Sequence, residues 1–509
     1  MTSGTWNRRR VLGTSAAVAA GAVTASALPA TPSVAFVPDG RPVLTHGVQS
    51  GDAFGAAANI WTRADRAGRM LVELSDRPDF RHARTLRGPV LAAGSDFTGS
   101  LRIHGLVPGR RAYYRVRADA GHGRVSEPVS GSLRIPARHE GVRFVWTGDI
   151  AGQGYGINPD VGGMRIFRAM RDVRPDFFLC SGDTVYADGP VPETVALPDG
   201  RVWRNVTTEA KSKVAETLQE YRGQYAYNLL DANLRAFTAE VPQLNQWDDH
   251  EVRNNWFPGQ ILDDARYTEK RVDVLAARAR QAFYEWQPIS PGPVYRKVSY
   301  GPLLDLFKLD MRTFKDANDG NTYADRSRGL LGAQQRAWLT RELLGSRATW
   351  KVIAIDLPLG LVVPDGAAAQ EGVAQGDPGA PLGRELEFAS VLQAAHRHGV
   401  RGIVFLTADV HYTAAHHYDP ARAAIQDFTP FWEFVSGPAN AGAFGPNALD
   451  ATFGPQAAFV HAPPRANASP MEGFQHFGQV DIDPHTRALT VRLRDLDGAV
   501  LWTTTLPAA

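Results

Sequence analysis

Four apolar stretches of this sequence stop abruptly in acids and imidazoles. Phe144–Trp146 runs into Thr147-Gly148-Asp149, and Phe177–Cys180 into Ser181-Gly182-Asp183-Thr184-Val185-Tyr186. Val241–Gln246 runs into Trp247-Asp248-Asp249-His250-Glu251, and Ile403–Thr407 into Ala408-Asp409-Val410-His411. Aspartate oxygens and histidine nitrogens suit hard or borderline ions: iron, manganese, zinc, calcium. A carboxylate shared between ligands on either side is the usual construction of a two-metal site, with ions ~3.5–4 Å apart. One Gly-Asp after a strand is commonly a turn or a helix cap, and one Asp-x-His is as weak. The argument rests on four such clusters in order, each at a strand end. Cys180 reads as an inert core residue because its neighbours are apolar. His416-His417 is not a ligand pair, since adjacent strand residues face opposite ways.

The elements that must position these groups follow from periodicity. From Phe36 to about Pro136 the text is short strands with turn signals about every ten residues, an all-β sandwich. Leu106-Val107-Pro108-Gly109 before Tyr113-Tyr114-Arg115-Val116 resembles the corner of a fibronectin type III domain. From Gly141 strands and helices alternate. Helices are expected over 164–173, 214–230, 267–284, 332–344 and 385–398, and core strands over 143–146, 176–180, 350–357 and 402–407. Residues 478–506 read as two or three antiparallel strands. Mixed strands with helices outside give an α/β sandwich, and the carboxyl ends of its strands are where such sheets build sites. Long loops at 187–210 and 358–384 are expected to wall the pocket.

Composition bounds the rest. The chain has 509 residues, 44% hydrophobic and 21% charged, a normal soluble balance that excludes a disordered chain or a polytopic membrane protein. Basic and acidic side chains number 55 and 53, so no global field points to nucleic acid. A single cysteine excludes a disulfide framework and any cysteine-rich zinc site. Asn7-Arg8-Arg9-Arg10-Val11-Leu12-Gly13 precedes a run of small apolar residues, Ala16 to Ala27, and no acid occurs before Asp39. Residues 1–30 therefore read as a twin-arginine export signal and not a membrane span. The expected organisation is that signal, a β-sandwich domain over 36–137 and a catalytic domain over 141–506, secreted through the twin-arginine translocase. With the three arginines of the signal gone, net charge is near zero and no polybasic tract survives, so little electrostatic adhesion to membranes is expected.

The clusters resemble the calcineurin-like metallophosphoesterases. Gly182-Asp183-x-x-Tyr186 is similar to the purple acid phosphatase variation, and Trp-Asp-Asp-His-Glu-Val-Arg-Asn-Asn-Trp (247–256) to the PhoD-type alkaline phosphatases. His46-Gly47-Val48-Gln49-Ser50-Gly51-Asp52 resembles the start of that family's β domain. The wording around Gly148 to Gly154 and Ser181 to Gly189 is most similar to a secreted actinobacterial branch described as phospholipase D. The resemblance implies an α/β metallophosphoesterase sandwich preceded by an all-β fibronectin III-like domain. It implies that Asp149, Asp183, Tyr186 and His411 hold Fe³⁺, with Asp183 bridging to a second site. Asp249 and Asp409 complete that second site, which the family fills with one or two calcium ions; zinc or manganese are the alternatives. Where PhoD-type enzymes commonly have cysteine, this chain has Asp149.

The implied activity is hydrolysis of phosphate mono- and diesters, phospholipid headgroups among them. His250 is the candidate to protonate the leaving oxygen or hold the phosphoryl group. Arg253 is the candidate phosphate clamp, because guanidinium matches phosphate in a two-pronged way. Trp256-Phe257-Pro258 is the candidate loop to dip into a lipid layer. No Gly-x-Ser-x-Gly elbow, no His-x-Lys and no Gly-Lys pair occurs, which disfavours an α/β-hydrolase, a His-Lys-Asp phospholipase and a nucleotide-binding P-loop. The competing reading is a secreted, calcium-stabilised binding protein with a fibronectin-like module. It accounts for the acids but not for Tyr186, His250 and His411.

Overall fold

The structure, a computed structural model, describes residues 40–508. The export signal at 1–30 and the first residues of the expected β domain lie outside the described residues. Two large sheets face each other. The nine-stranded sheet runs Val500–Leu506, Leu489–Asp495, His476–Ile482, Val142–Thr147, Phe177–Cys180, Gln243–Asn245, Leu44–Phe54, Ala57–Ala64, Thr98–His104. The seven-stranded sheet runs Arg296–Tyr300, Leu304–Lys308, Trp350–Ala354, Ile403–Thr407, Phe431–Val435, Thr413–Tyr418, Pro455–His461. The centre of each is parallel: Val142–Thr147, Phe177–Cys180 and Gln243–Asn245 in one, and the four strands from Leu304–Lys308 to Phe431–Val435 in the other.

Alternation along the strands builds two cores at once. Phe144, Trp146, Phe177, Leu179 and Leu244 point to the facing sheet and meet Leu304, Leu306, Val352, Val404 and Leu406. Val145, Phe178 and Cys180 point outward, under the helices Ile166–Asp172, Leu218–Asn228, Ala232–Glu240 and Val272–Trp286. The helices Gly332–Gly345 and Glu385–Arg397 cover the outer face of the other sheet. The chain is thus an α/β sandwich with helices outside, preceded by an all-β region.

That region is built from both kinds of sheet. Arg84–Leu91, Gly68–Ser75, Arg111–Asp119 and Val129–Arg134 form a separate four-stranded sheet. Leu44–Phe54, Ala57–Ala64 and Thr98–His104 instead extend the nine-stranded sheet, joined through the parallel pairing of Gly51 with Gln243. Between the two lies a core of Ile60, Met70, Val72, Ile103, Tyr114 and Val116.

Boundaries moved where local chemistry decided them. The helix expected from 214 begins at Leu218, because Thr217 caps it and Glu220 closes a capping box. The helix expected from 267 begins at Val272. Residues 478–506 give three antiparallel strands, with bounds at His476 and Leu506.

Glu385 opens the last long helix and is completely buried; one of its oxygens has no partner. Burial, and then the charge of Asp450, push its carboxyl from 4.5 up to about 8. Between those values the folded protein keeps a proton that the unfolded chain has released, so this group destabilises increasingly as pH rises. Glu385→Gln should therefore stabilise by an amount growing between pH 4.5 and about 8, reaching on the order of 1–3 kcal/mol. Denaturant midpoints of both proteins across that range check this; a pH-independent difference would contradict it.

Candidate metal centre

The carboxyl ends of strands from both sheets meet at one place. Val142–Thr147 delivers Asp149, Phe177–Cys180 delivers Asp183, Gln243–Asn245 leads to Asp248 and Asp249, and Ile403–Thr407 delivers Asp409 and His411. Three of the four loops turn candidate ligands inward by a local reversal. Asp149, Asp183, Asp409 and His411 all have positive φ, between 48° and 63°, a conformation uncommon for non-glycine residues and concentrated at functional sites.

Three groups of donor atoms come within 4.8 Å of one another: Asp149 with Asp183 and His411; Asp183 with Asp249 and His250; Asp248 with Asp249 and Asp409. Asp183 belongs to the first two, as a bridging residue must. The hydroxyl of Tyr186 lies 2.8 Å from His411 Nε2. His411 Nδ1 faces the Gly442 carbonyl at 2.5 Å. That carbonyl can only accept, so Nδ1 carries the proton and Nε2 presents a lone pair. Burial holds this imidazole neutral, with its pKa lowered to about 4. Six sequence-predicted ligands, Asp149, Asp183, Tyr186, Asp249, Asp409 and His411, are thereby brought together.

The donor set fits metal ions. Asp149 is completely buried and neither of its carboxylate oxygens has a hydrogen-bond donor. Burial drives the Asp149 carboxyl up to about 8 and that of Asp183 well above the ordinary range, more than the neighbouring His250 can offset. An isolated buried carboxylate is costly unless it pairs with charge or coordinates metal. The backbone accommodates this crowding through missing side chains. A Cβ on Gly437 would sit 2.3 Å from Asp149 Oδ2, and one on Gly152 would sit 2.2 Å from the Tyr186 ring.

Several supporting residues carried no expectation. Glu251 is fully buried and accepts from the backbone N–H groups of Asp183, Thr184 and Asp248 at 2.6–3.2 Å, clamping two ligand loops together. Asp188 Oδ1 lies 2.6 Å from His250 Nδ1, and its other oxygen accepts from the Asn254 N–H at 2.8 Å. Arg312 is completely buried among Asp248, Asp356, Glu371 and Asp409. Lys315 joins it on Glu371 at 3.0 Å. Asp188 and Glu251 stood inside quoted motifs; Arg312 and Glu371 are distant in sequence and gave no local signal.

A cavity of ≈ 410 Å³ opens onto Asp183, Asp249, His250, Asp409 and His411. Its walls include Val363, Pro364 and Glu371 on one side, Phe444 to Asn447 on another, and Asn254 and Asn255. The segment expected over 358–384 thus supplies a wall. That over 187–210 does not: Arg201 and Trp203 line a different cavity of ≈ 430 Å³. Arg253 is also a correction. One turn beyond Asp249, its guanidinium turns to Gln260 at 3.4 Å and is not part of the cavity wall. Trp256 does not project outward either; it is buried edge-on against Trp247.

Residues 144–493 match the family model described as PhoD-like phosphatase, and residues 30–137 match that of the PhoD-like phosphatase N-terminal domain. Alkaline phosphatase D of Bacillus subtilis (strain 168) is 30% identical over 372 residues, covering 67% of this chain and 59% of that protein. The alignment thus spans less than two thirds of that relative's length. Among solved structures, one titled "Structure of PhoD" superimposes with a TM-score of 0.68 at 23% identity over 91% of this chain and 89% of that one. Purple acid phosphatase PPD1 from yellow lupin (Lupinus luteus) seeds gives 0.54 at 12% identity over 92% of this chain and 74% of that one. At those identities both likenesses speak for the fold.

Gly437→Ala is the sharpest test of the geometry, because it adds one methyl group against Asp149. Metal content by elemental analysis should fall severalfold, with the unfolding midpoint lowered by an amount typical of overpacking, about 1–3 kcal/mol. Unchanged metal content would mean that Asp149 does not ligate.

Proposed function

This chain belongs to the PhoD-like phosphatase family, and from that premise we propose that it is a metal-dependent hydrolase of phosphate mono- and diesters. The observation that carries the proposal is the convergence of three donor groups, sharing Asp183 and Asp249, on the floor of one open cavity. We propose that Asp149, Asp183, Tyr186 and His411 hold one ion, Fe³⁺ by family resemblance, and that Asp183, Asp249 and Asp409 hold a second, calcium by the same resemblance. Oxygen-only donors at the second site favour such a hard ion. The chemistry those ions supply is neutralisation of phosphate charge and activation of water at neutral pH.

The chain's own contribution centres on His250. Asp188 accepts from Nδ1, which leaves Nε2 for the substrate. Burial disfavours the imidazolium, but Asp188, Asp249 and Asp183 outweigh it and raise the pKa well above the usual value. A protonated His250 beside the reacting phosphate suits donation to the leaving oxygen, worth typically ~10²–10⁴-fold. The side-chain amide of Asn254, and the second N–H of Asn255 and of Asn447, whose first goes to Asp365 Oδ1 and to the Val362 carbonyl, offer neutral donors to non-bridging oxygens or to the ester's substituents. Val363, Pro364 and Phe444 give the mouth an apolar side, which suits esters with an apolar substituent. That supports phospholipids as one substrate class, with phospholipase D activity as the corresponding reading.

Export by the twin-arginine route is part of the same proposal and rests on residues 7–27, outside the described residues. No helix among the described residues is long and apolar enough to cross a membrane.

Leaving-group dependence tests the role of His250. His250→Asn and Asp188→Asn should each lower kcat with metal content unchanged, the first by ~10²-fold or more on an alkyl phosphate ester. The loss should shrink for nitrophenyl esters, whose leaving group needs no proton. Equal losses for both ester types would assign His250 to phosphate binding instead. A steady-state comparison of a monoester, a diester and phosphatidylcholine ranks the substrate classes.

A further inference from the structure

The near-neutral total charge conceals a division along the chain. Residues 41–137 contain 15 arginines, no lysine and eight acids, whereas residues 138–509 contain 37 basic and 44 acidic side chains. The fold places five of these arginines, Arg69, Arg87, Arg111, Arg115 and Arg117, on one face with two acids, Glu73 and Asp119. In the four-stranded sheet, Met70, Val72, Leu74, Tyr114, Val116 and Ala118 point into the core. The intervening residues Arg69, Glu73, Arg115, Arg117 and Asp119 therefore stand on the outer face, Asp119 directly opposite Arg69.

Register extends the face across the strands, since directly paired residues share a side. Arg87 pairs with Leu71, which pairs with Arg117; Glu73 pairs with Arg115; Arg111 lies on the same side of its strand. Arg115 and Arg117 share Glu73, at 2.6 Å and 3.6 Å. Among the described residues, Arg69, Arg87 and Arg111 have no carboxylate within 4.0 Å. Arg69 donates only to the Gly88 carbonyl and Arg111 only to Ser132 Oγ, so each keeps further N–H groups for another acceptor.

We propose that this sheet face docks the protein on an anionic phospholipid surface. Guanidinium groups bind phosphate in a two-pronged way and are weakly hydrated, so a row of them suits lipid headgroups. The face is the outer side of a four-stranded sheet, which spreads its side chains in a layer toward a planar partner. Leu71 and Tyr113 stand on it and Val90, 49% exposed, lies at its edge, giving apolar contact between the charges. Tyr113 on its strand and Phe80, stacked on Arg115 at 4.5 Å, are the aromatics described on this face, too few for the stacking series that single-stranded nucleic acid uses. None of these residues belongs to the metal centre, and the inference stands whether or not phospholipids are substrates.

The test uses the full chain, so that Arg8 to Arg10 are common to every protein compared. Sedimentation would be measured with vesicles of phosphatidylcholine alone and of phosphatidylcholine with phosphatidylglycerol, at low and high salt. The wild type should bind only the anionic vesicles and release them at high salt, where the screening length drops to about 3 Å at 1 M. At about fivefold per arginine, Arg69→Gln, Arg87→Gln and Arg111→Gln together should weaken binding by roughly 100-fold. Hydrolysis of a soluble nitrophenyl ester and the unfolding midpoint should stay at wild-type values, which separates lost docking from lost folding. The charge-reversed triple variant to Glu should bind less still. Equal vesicle binding by wild type and triple variants would overturn the proposal. So would failure of the wild type to bind anionic vesicles, or binding to a polyanion such as single-stranded DNA in preference to them.

Discussion

Uncompensated negative charge in a dry place is the constraint on which this structure turns. Asp149, Asp183, Asp248, Asp249, Glu251 and Glu371 are each at most 3% exposed, and the Asp409 side chain is 11% exposed. Such a cluster repels itself and loses its hydration, and a folded chain tolerates it only with cations or protons in place. On one side the chain supplies its own cations, Arg312 and Lys315, against Asp248, Asp356 and Glu371. On the other side, around Asp149 and Asp183, the described residues place two imidazoles and no lysine or arginine: His250, already engaged with Asp188, and His411, held neutral by burial. In the proposed function metal ions complete the balance there, and the reversed backbone at Asp149, Asp183, Asp409 and His411 turns their side chains toward one another.

The sandwich exists in service of that convergence. One sheet contributes Asp149, Asp183 and Asp249; the other contributes Asp409, His411 and, through its flanking segments, Arg312 and Glu371. The distance between the two ligand sets is fixed by the layer of Phe144, Trp146, Leu179, Leu306, Val352 and Leu406 between the sheets. Core packing therefore acts on the chemistry directly: a shift of a few tenths of an ångström in that layer changes the separation of the donors. Glu251 joins the Asp183 and Asp248 loops on one sheet, and Arg312 joins Asp248 to Asp409 across the two.

The strand-end acids were legible in the sequence because each follows an unbroken apolar run and a tight Gly-Asp or Asp-Asp turn, features that periodicity finds without an alignment. The two-sheet architecture was legible for the same reason. What remained hidden involves residues joined only by the fold. Arg312 and Glu371 are 59 residues apart and read as ordinary charges. Arg253 was misassigned because spacing alone does not say which way a side chain leaves a turn; one residue further, Asn254 and Asn255 face the cavity instead. The segregation of arginine onto the outer sheet vanished in a net charge of +2, since a total carries no positions.

The measurement that bears most directly on the account is the metal dependence of the wild-type protein. Ions would be counted by elemental analysis, stripped with a chelator, and returned one kind at a time while hydrolysis of a phosphate diester is followed. The account predicts at least two ions per chain, activity lost on stripping and recovered on return, and a lower unfolding midpoint for the stripped protein. Full hydrolytic activity in a protein shown to be free of metal would contradict it.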